Sequence, residues 1–121
     1  MSKEIIENLP DNVMMVRTNK KVIEYRGNLY EAAHKWWRAS LNRAQRAAYV
    51  FVDINGIVQE IYEPQSWHTE HDKGQDILTF DGERLVFEGI PAPEPIHSQY
   101  AGKYLPAQYI GGQNPVRYNY E

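Results

Sequence analysis

The chain of 121 residues contains no cysteine. A disulfide frame, a thiolate nucleophile and a cysteine-bearing zinc set are therefore excluded, and the composition fits a reducing cytoplasm. Long apolar runs are also missing. No stretch approaches the roughly 18 residues needed to cross a bilayer. The opening Met1-Ser2-Lys3-Glu4-Ile5-Ile6 has no apolar core of a signal peptide. A cytoplasmic protein with no membrane partner is expected. An excess of positive charge is lacking too, since the net charge is −3. No Walker loop, dinucleotide fingerprint or Gly-x-Ser-x-Gly is present. Neither a catalytic set nor a cofactor is expected.

The modest net charge conceals an asymmetry. Residues 17–46 carry eight basic side chains (Arg17, Lys20, Lys21, Arg26, Lys35, Arg38, Arg43, Arg46) against Glu24 and Glu31. Residues 53–94 carry ten acids against Lys73 and Arg84. Two readings stand side by side. The segments neutralise each other across the fold, or a basic face attracts phosphates while acids elsewhere suppress indiscriminate nucleic-acid binding.

The length is that of one domain, residues 1–121. Residues 1–9 read as a short helix or an arm. Val13–Arg17 reads as a strand after the Pro10-Asp11-Asn12 turn, and residues 21–26 read as a second. Asn28 can cap a helix from about Leu29 to Ala39, in which Leu29, Ala32, Ala33, Trp36 and Trp37 recur at helical spacing. Ser40 or Asn42 can cap a short helix through Ala47. The clearest local signal is Asn55-Gly56, set between Tyr49-Val50-Phe51-Val52-Asp53-Ile54 and Ile57-Val58-Gln59-Glu60-Ile61-Tyr62. Asn and Gly both tolerate the positive φ of a type I′ turn, so a hairpin over 48–63 is expected, ended by Pro64. Polar residues 65–76 read as a loop. A second hairpin is expected at Asp81-Gly82, between residues 77–80 and 84–88. Pro91, Pro93 and Pro95 break regular structure, and residues 116–120 alternate as a last strand. The sum is an α+β fold: a small curled sheet, or a PUA-like β-barrel, with two short helices.

The succession Trp37-Arg38, Arg43-x-x-Arg46-Ala47, Tyr49-Val50, Gly56, Tyr62, Trp67, Phe87-x-Gly89, Tyr100-Ala101-Gly102-Lys103 and Gln113-Asn114-Pro115-Val116-Arg117-Tyr118 resembles a family of small bacterial and phage proteins over residues 29–120. About 35 central residues are similar to the PUA-like superfamily, in its ASCH and EVE branches, where a helix leads into a strand, a glycine turn and a second barrel strand. That likeness implies binding of RNA, modified bases or nucleotides in a cleft beside the barrel.

The candidate ligand-binding residues each carry two readings. Trp37 is core, or it stacks on a base. Trp67, in a polar stretch, folds back as a lid on the sheet or is displayed for a ligand. Arg38, Arg43 and Arg46 are a solvated face, or they grip phosphate with their guanidinium forks. Lys103 would join them. Gln113 and Asn114, after Gly111-Gly112, form a structured turn or read a base edge. The run His68-Thr69-Glu70-His71-Asp72 lacks helical ligand spacing and reads as an acidic loop; His34 and His97 stand alone. The resulting expectation is a non-enzymatic module for a nucleotide or single-stranded nucleic acid. The second reading is a phage or mobile-element protein that acts against host defence, by binding a host protein or sequestering a host nucleotide signal. The third is a metal-dependent nuclease or phosphoesterase using Glu60, Glu70 or Asp72.

Overall fold

In a computed structural model of the chain, residues 4–35, 37–72 and 82–121 are described. Their elements run β1 (Val13–Arg17), α1 (Lys20–Arg26), α2 (Leu29–Ala33), α3 (Leu41–Ala44), β2 (Tyr49–Ile54), β3 (Ile57–Asp72), β4 (Gly82–Pro91), α4 (Ile96–Tyr100), a single 3₁₀ turn (Ala107–Tyr109) and β5 (Val116–Tyr118). The strands form one curled, unclosed sheet in the order β4-β3-β2-β1-β5. β1 and β2 are parallel, joined by the crossover that contains α1 to α3, and the other pairs are antiparallel. The fold is α+β with a curled sheet, as expected. Among the described residues no helix is long and apolar enough to cross a membrane.

The expected hairpin forms where the turn chemistry puts it. Asn55 (φ 51°) and Gly56 (φ 86°) both take positive φ, and Ile54 pairs with Ile57 across the turn. β2 and β1 lie in the middle of the sheet and are largely apolar, because both faces are covered; Arg17 and the buried Asp53 are their charged residues. Met14, Val16, Val50 and Val52 pack with Trp37, Leu85 and Phe87 on the face that carries Ala33 of α2 and Ala44 of α3. Val13, Met15 and Phe51 pack on the other with Ile6, Ala92, Tyr100 and Leu105. The residues around Ile6 form an arm: its amide donates to the Tyr104 carbonyl at 2.8 Å, and the Tyr104 amide donates to the Glu4 carbonyl at 2.8 Å.

Four expectations are corrected. Residues 21–26 are helix, not strand. The Asn19 side chain accepts from the Val22 amide at 2.9 Å and the Gly27 amide donates to the Ile23 carbonyl at 2.9 Å. Two caps outweigh the β-preference of Val22 and Ile23 in a segment so short. The second helix, capped by Asn28, stops at Ala33 instead of Ala39. Beyond it the backbone of Trp37 exchanges two hydrogen bonds with Leu85 (3.0 and 2.7 Å), and His34 accepts from the Phe87 amide. This stretch covers the outer edge of β4, which would otherwise offer unpaired groups. The third helix is capped by Ser40 and ends at Ala44, short of Ala47.

The fourth correction concerns residues 65–72, which are strand rather than loop, since β3 continues through Pro64 to Asp72. Proline lacks a donor, but the last β3 residue paired with β2 is Tyr62, so Pro64 breaks no bond on that side. The β4 ladder shifts register between Pro64 and Ser66 to pass it. β4 supplies the partners that local sequence does not reveal. The expected turn at Asp81-Gly82 and the strand over 77–80 lie outside the described residues, apart from Gly82, which begins β4.

Gly56 is tightly placed. A Cβ there would sit 2.8 Å from Cδ1 of Ile110, on a backbone with φ of +86°. We expect Gly56→Ala to lower stability by about 1–2 kcal/mol, the cost of a left-handed residue with a side chain. Urea denaturation checks this, and an unchanged midpoint would contradict the packing described.

Candidate functional site

β5 is an edge strand, and its residues form one wall of a cleft. Tyr109 and Asn114 come from the segment leading into it. Arg38, Ala39, Ser40 and Arg43 also line it, with Val116, Arg117 and Tyr118 completing the lining. The cleft encloses about 410 Å³. Three guanidinium groups line it, and no carboxylate does among the described residues.

Each arginine is held differently. Arg117 donates from Nη2 to Oδ1 of Asp53 at 2.6 Å and from Nη1 to the Tyr109 carbonyl at 2.7 Å. Asp53 is fully buried, and its other oxygen accepts from the Gly56 amide at 3.1 Å. Arg43 lies 4.1 Å from the centroid of the Tyr118 ring, a cation–π contact. Its Nη2 donates to the Tyr120 carbonyl at 2.8 Å, and the Tyr120 hydroxyl donates back to the Arg43 carbonyl at 2.7 Å. Arg38 is exposed.

Burial raises the Tyr118 hydroxyl above its ordinary pKa, against the pull of Arg43. Burial, with Tyr118 adding to it, pushes Tyr120 up to about 12. Both hydroxyls stay protonated at neutral pH. The polar accounting at this cleft is incomplete. Arg43 Nε, Arg117 Nε and Tyr118 Oη are buried without a hydrogen-bond partner. They make up three of the five such side-chain atoms among the described residues. An unpaired buried donor costs about 1–3 kcal/mol.

The structure thus brings Arg38, Arg43 and Asn114 together. The Asn114 side-chain oxygen accepts from the Val116 amide at 2.9 Å, so its turn role is real and its NH₂ remains. Gln113 is exposed beside it but does not line the cleft. Arg46 lies 5.4 Å from the Tyr120 ring, away from the lining. Trp37 is core, 9% exposed, with its indole N–H donating to the Ala33 carbonyl at 2.7 Å. Trp67 is half-buried on β3, its ring 5.2 Å from Phe87, and packs on the core as a lid. Lys103 borders a different cleft and faces Glu4 at 3.5 Å. Trp36 lies outside the described residues.

Sequence reasoning missed Arg117, Tyr109 and Tyr118 as site residues. The alternation over 116–120 placed Arg117 on a strand. Its partner Asp53 is 64 residues away, and no local pattern connects them. His97 is not isolated: Nε2 lies 3.0 Å from Glu60 and Nδ1 lies 3.5 Å from Glu94. Nor is His34, which stacks on Tyr30 at 4.3 Å. Glu70 pairs with His68 at 2.8 Å, so it and Glu60 serve different histidines. Among the described residues no group of three His, Asp or Glu could hold a metal ion.

Two outcomes follow. Asp53→Asn leaves the Arg117 guanidinium, 11% exposed, without its counter-charge, and we expect a loss of about 3–5 kcal/mol. Combining it with Arg117→Met should recover part of that loss in a denaturant double-mutant cycle, and strict additivity would show that the pair is not coupled. For Trp67→Ala we expect a loss of about 2 kcal/mol, below the 3–5 of a fully buried aromatic, again by denaturation. Stability within error of the parent would mean that the ring is displayed and not a lid. No protein family, no curated protein and no solved structure matches this chain.

Proposed function

We propose that this chain is a non-enzymatic binding module whose cleft holds the phosphate of a nucleotide-like ligand or of a single-stranded nucleic acid. One observation carries the reading: Arg38, Arg43 and Arg117 converge on a cleft whose lining contains no acid among the described residues. Asp53 is already committed to Arg117 and to the Gly56 amide. Guanidinium forks suit phosphate oxygens. Tyr109 and Tyr118 bring aromatic surface to the same place, which suits a base of any identity. The NH₂ of Asn114 adds a donor for a base edge. The likeness of the central hairpin to PUA-like domains points the same way.

Arg38 offers the cleanest test, because it is exposed and the fold does not lean on it. Arg38→Ala should leave the denaturation midpoint unchanged. It should weaken nucleotide binding by about tenfold or more, since a hydrogen bond to a charged group is worth about 1.5–3 kcal/mol. It should also flatten the dependence of log affinity on log salt by about one unit. Calorimetric titration at two salt concentrations measures both. Affinity indifferent to salt and to Arg38 would remove the cleft from consideration.

A further inference from the structure

We infer that the ligand is a single nucleotide bearing a terminal phosphomonoester, bound as the dianion, and not a phosphodiester chain; this rests on the reading of the cleft as a phosphate site. Three guanidinium groups line the cleft and one, Arg117, is matched by Asp53, which leaves two positive charges. A phosphomonoester carries about two negative charges near neutral pH, whereas a diester carries one. Exposed Arg38 is the group that a ligand phosphate meets first.

The lining of the cleft does not continue as a basic groove. A chain-binding groove needs a basic track for successive phosphates. Here several of the neighbouring cations are engaged within the protein. Arg17 donates to the carbonyls of Gly111 and Gly112. Arg26 donates to those of Ala32 and Lys35. Lys35 pairs with Glu31 at 3.3 Å, and Lys103 faces Glu4 in another cleft. Lys20, Lys21 and Arg46 are exposed, but none of them lines the cleft. A volume of about 410 Å³ sits at the small end of ligand sites, which run from roughly 300 to 1,000 Å³, and suits one nucleotide.

The test titrates the full chain, at low salt, with the four ribonucleoside 5′-monophosphates, the methyl phosphodiester of each, the parent nucleosides, inorganic phosphate, and an oligonucleotide lacking terminal phosphates. At least one monophosphate should bind about tenfold or more tightly than its methyl ester, its nucleoside and free phosphate. Arg38→Ala should reduce that affinity about tenfold, as loss of a charge-assisted contact does, with circular dichroism unchanged. A methyl ester or oligonucleotide binding equally well, still sensitive to Arg38→Ala, would overturn the monoester inference and leave the phosphate site standing. Inorganic phosphate binding as tightly as any nucleotide would overturn the nucleotide class. No binding by any probe, or binding indifferent to Arg38→Ala, would overturn both the inference and the function proposed above.

Discussion

A buried carboxylate holds one corner of this molecule together. Asp53, next to the end of β2, accepts from the turn glycine of the central hairpin and pairs with Arg117 of the last strand. Its own carbonyl accepts from Thr18, just past the end of β1. Three strands distant in sequence are thus locked at one corner of the sheet. Burying such a charge is costly unless it is paired and hydrogen-bonded, and here both oxygens are used. The arrangement leaves Arg117 with a fixed guanidinium at the cleft, already desolvated and oriented.

The sheet supplies rigidity behind that corner. β1 and β2 bury both faces, so their order does not depend on solvent-exposed contacts. The two outer parts are treated differently. On one side the chain around Trp37 covers the edge of β4 by direct backbone pairing. On the other, β5 is short and its edge is given over to the cleft. β5 brings Arg117 and Tyr118 to the cleft lining, with Arg43 over the Tyr118 ring.

The charge asymmetry resolves into internal use. Most of the basic side chains between residues 17 and 46 that have partners serve backbone carbonyls or nearby acids. Only Arg38 and Arg43 reach the cleft, and Arg43 does so while stacked on Tyr118. The acids of the middle segment meet histidines at scattered points, as with Glu60 and His97 or Glu70 and His68. Neutralisation and a local basic site therefore coexist.

The sequence by itself determined what turn and cap chemistry controls. Asn55-Gly56 places the hairpin because positive φ is cheap only for such residues. Asn28 and Ser40 start helices because their side chains satisfy free amides at the next turn. β1 was legible as an apolar run. Within the site, Arg38, Arg43 and Asn114 were legible as candidates, since their residue types suit phosphate and base. The tertiary structure decided the rest. Residues 65–72 became strand because β4 offered a ladder, and Trp67 became a lid because Phe87 lay across from it. Residues 21–26 became helix because Asn19 and Gly27 closed both ends. Arg117 entered the cleft because Asp53, far away in the chain, sits across from it. Turns and caps are short-range, whereas ladders, burial and ion pairs need partners that only folding brings near.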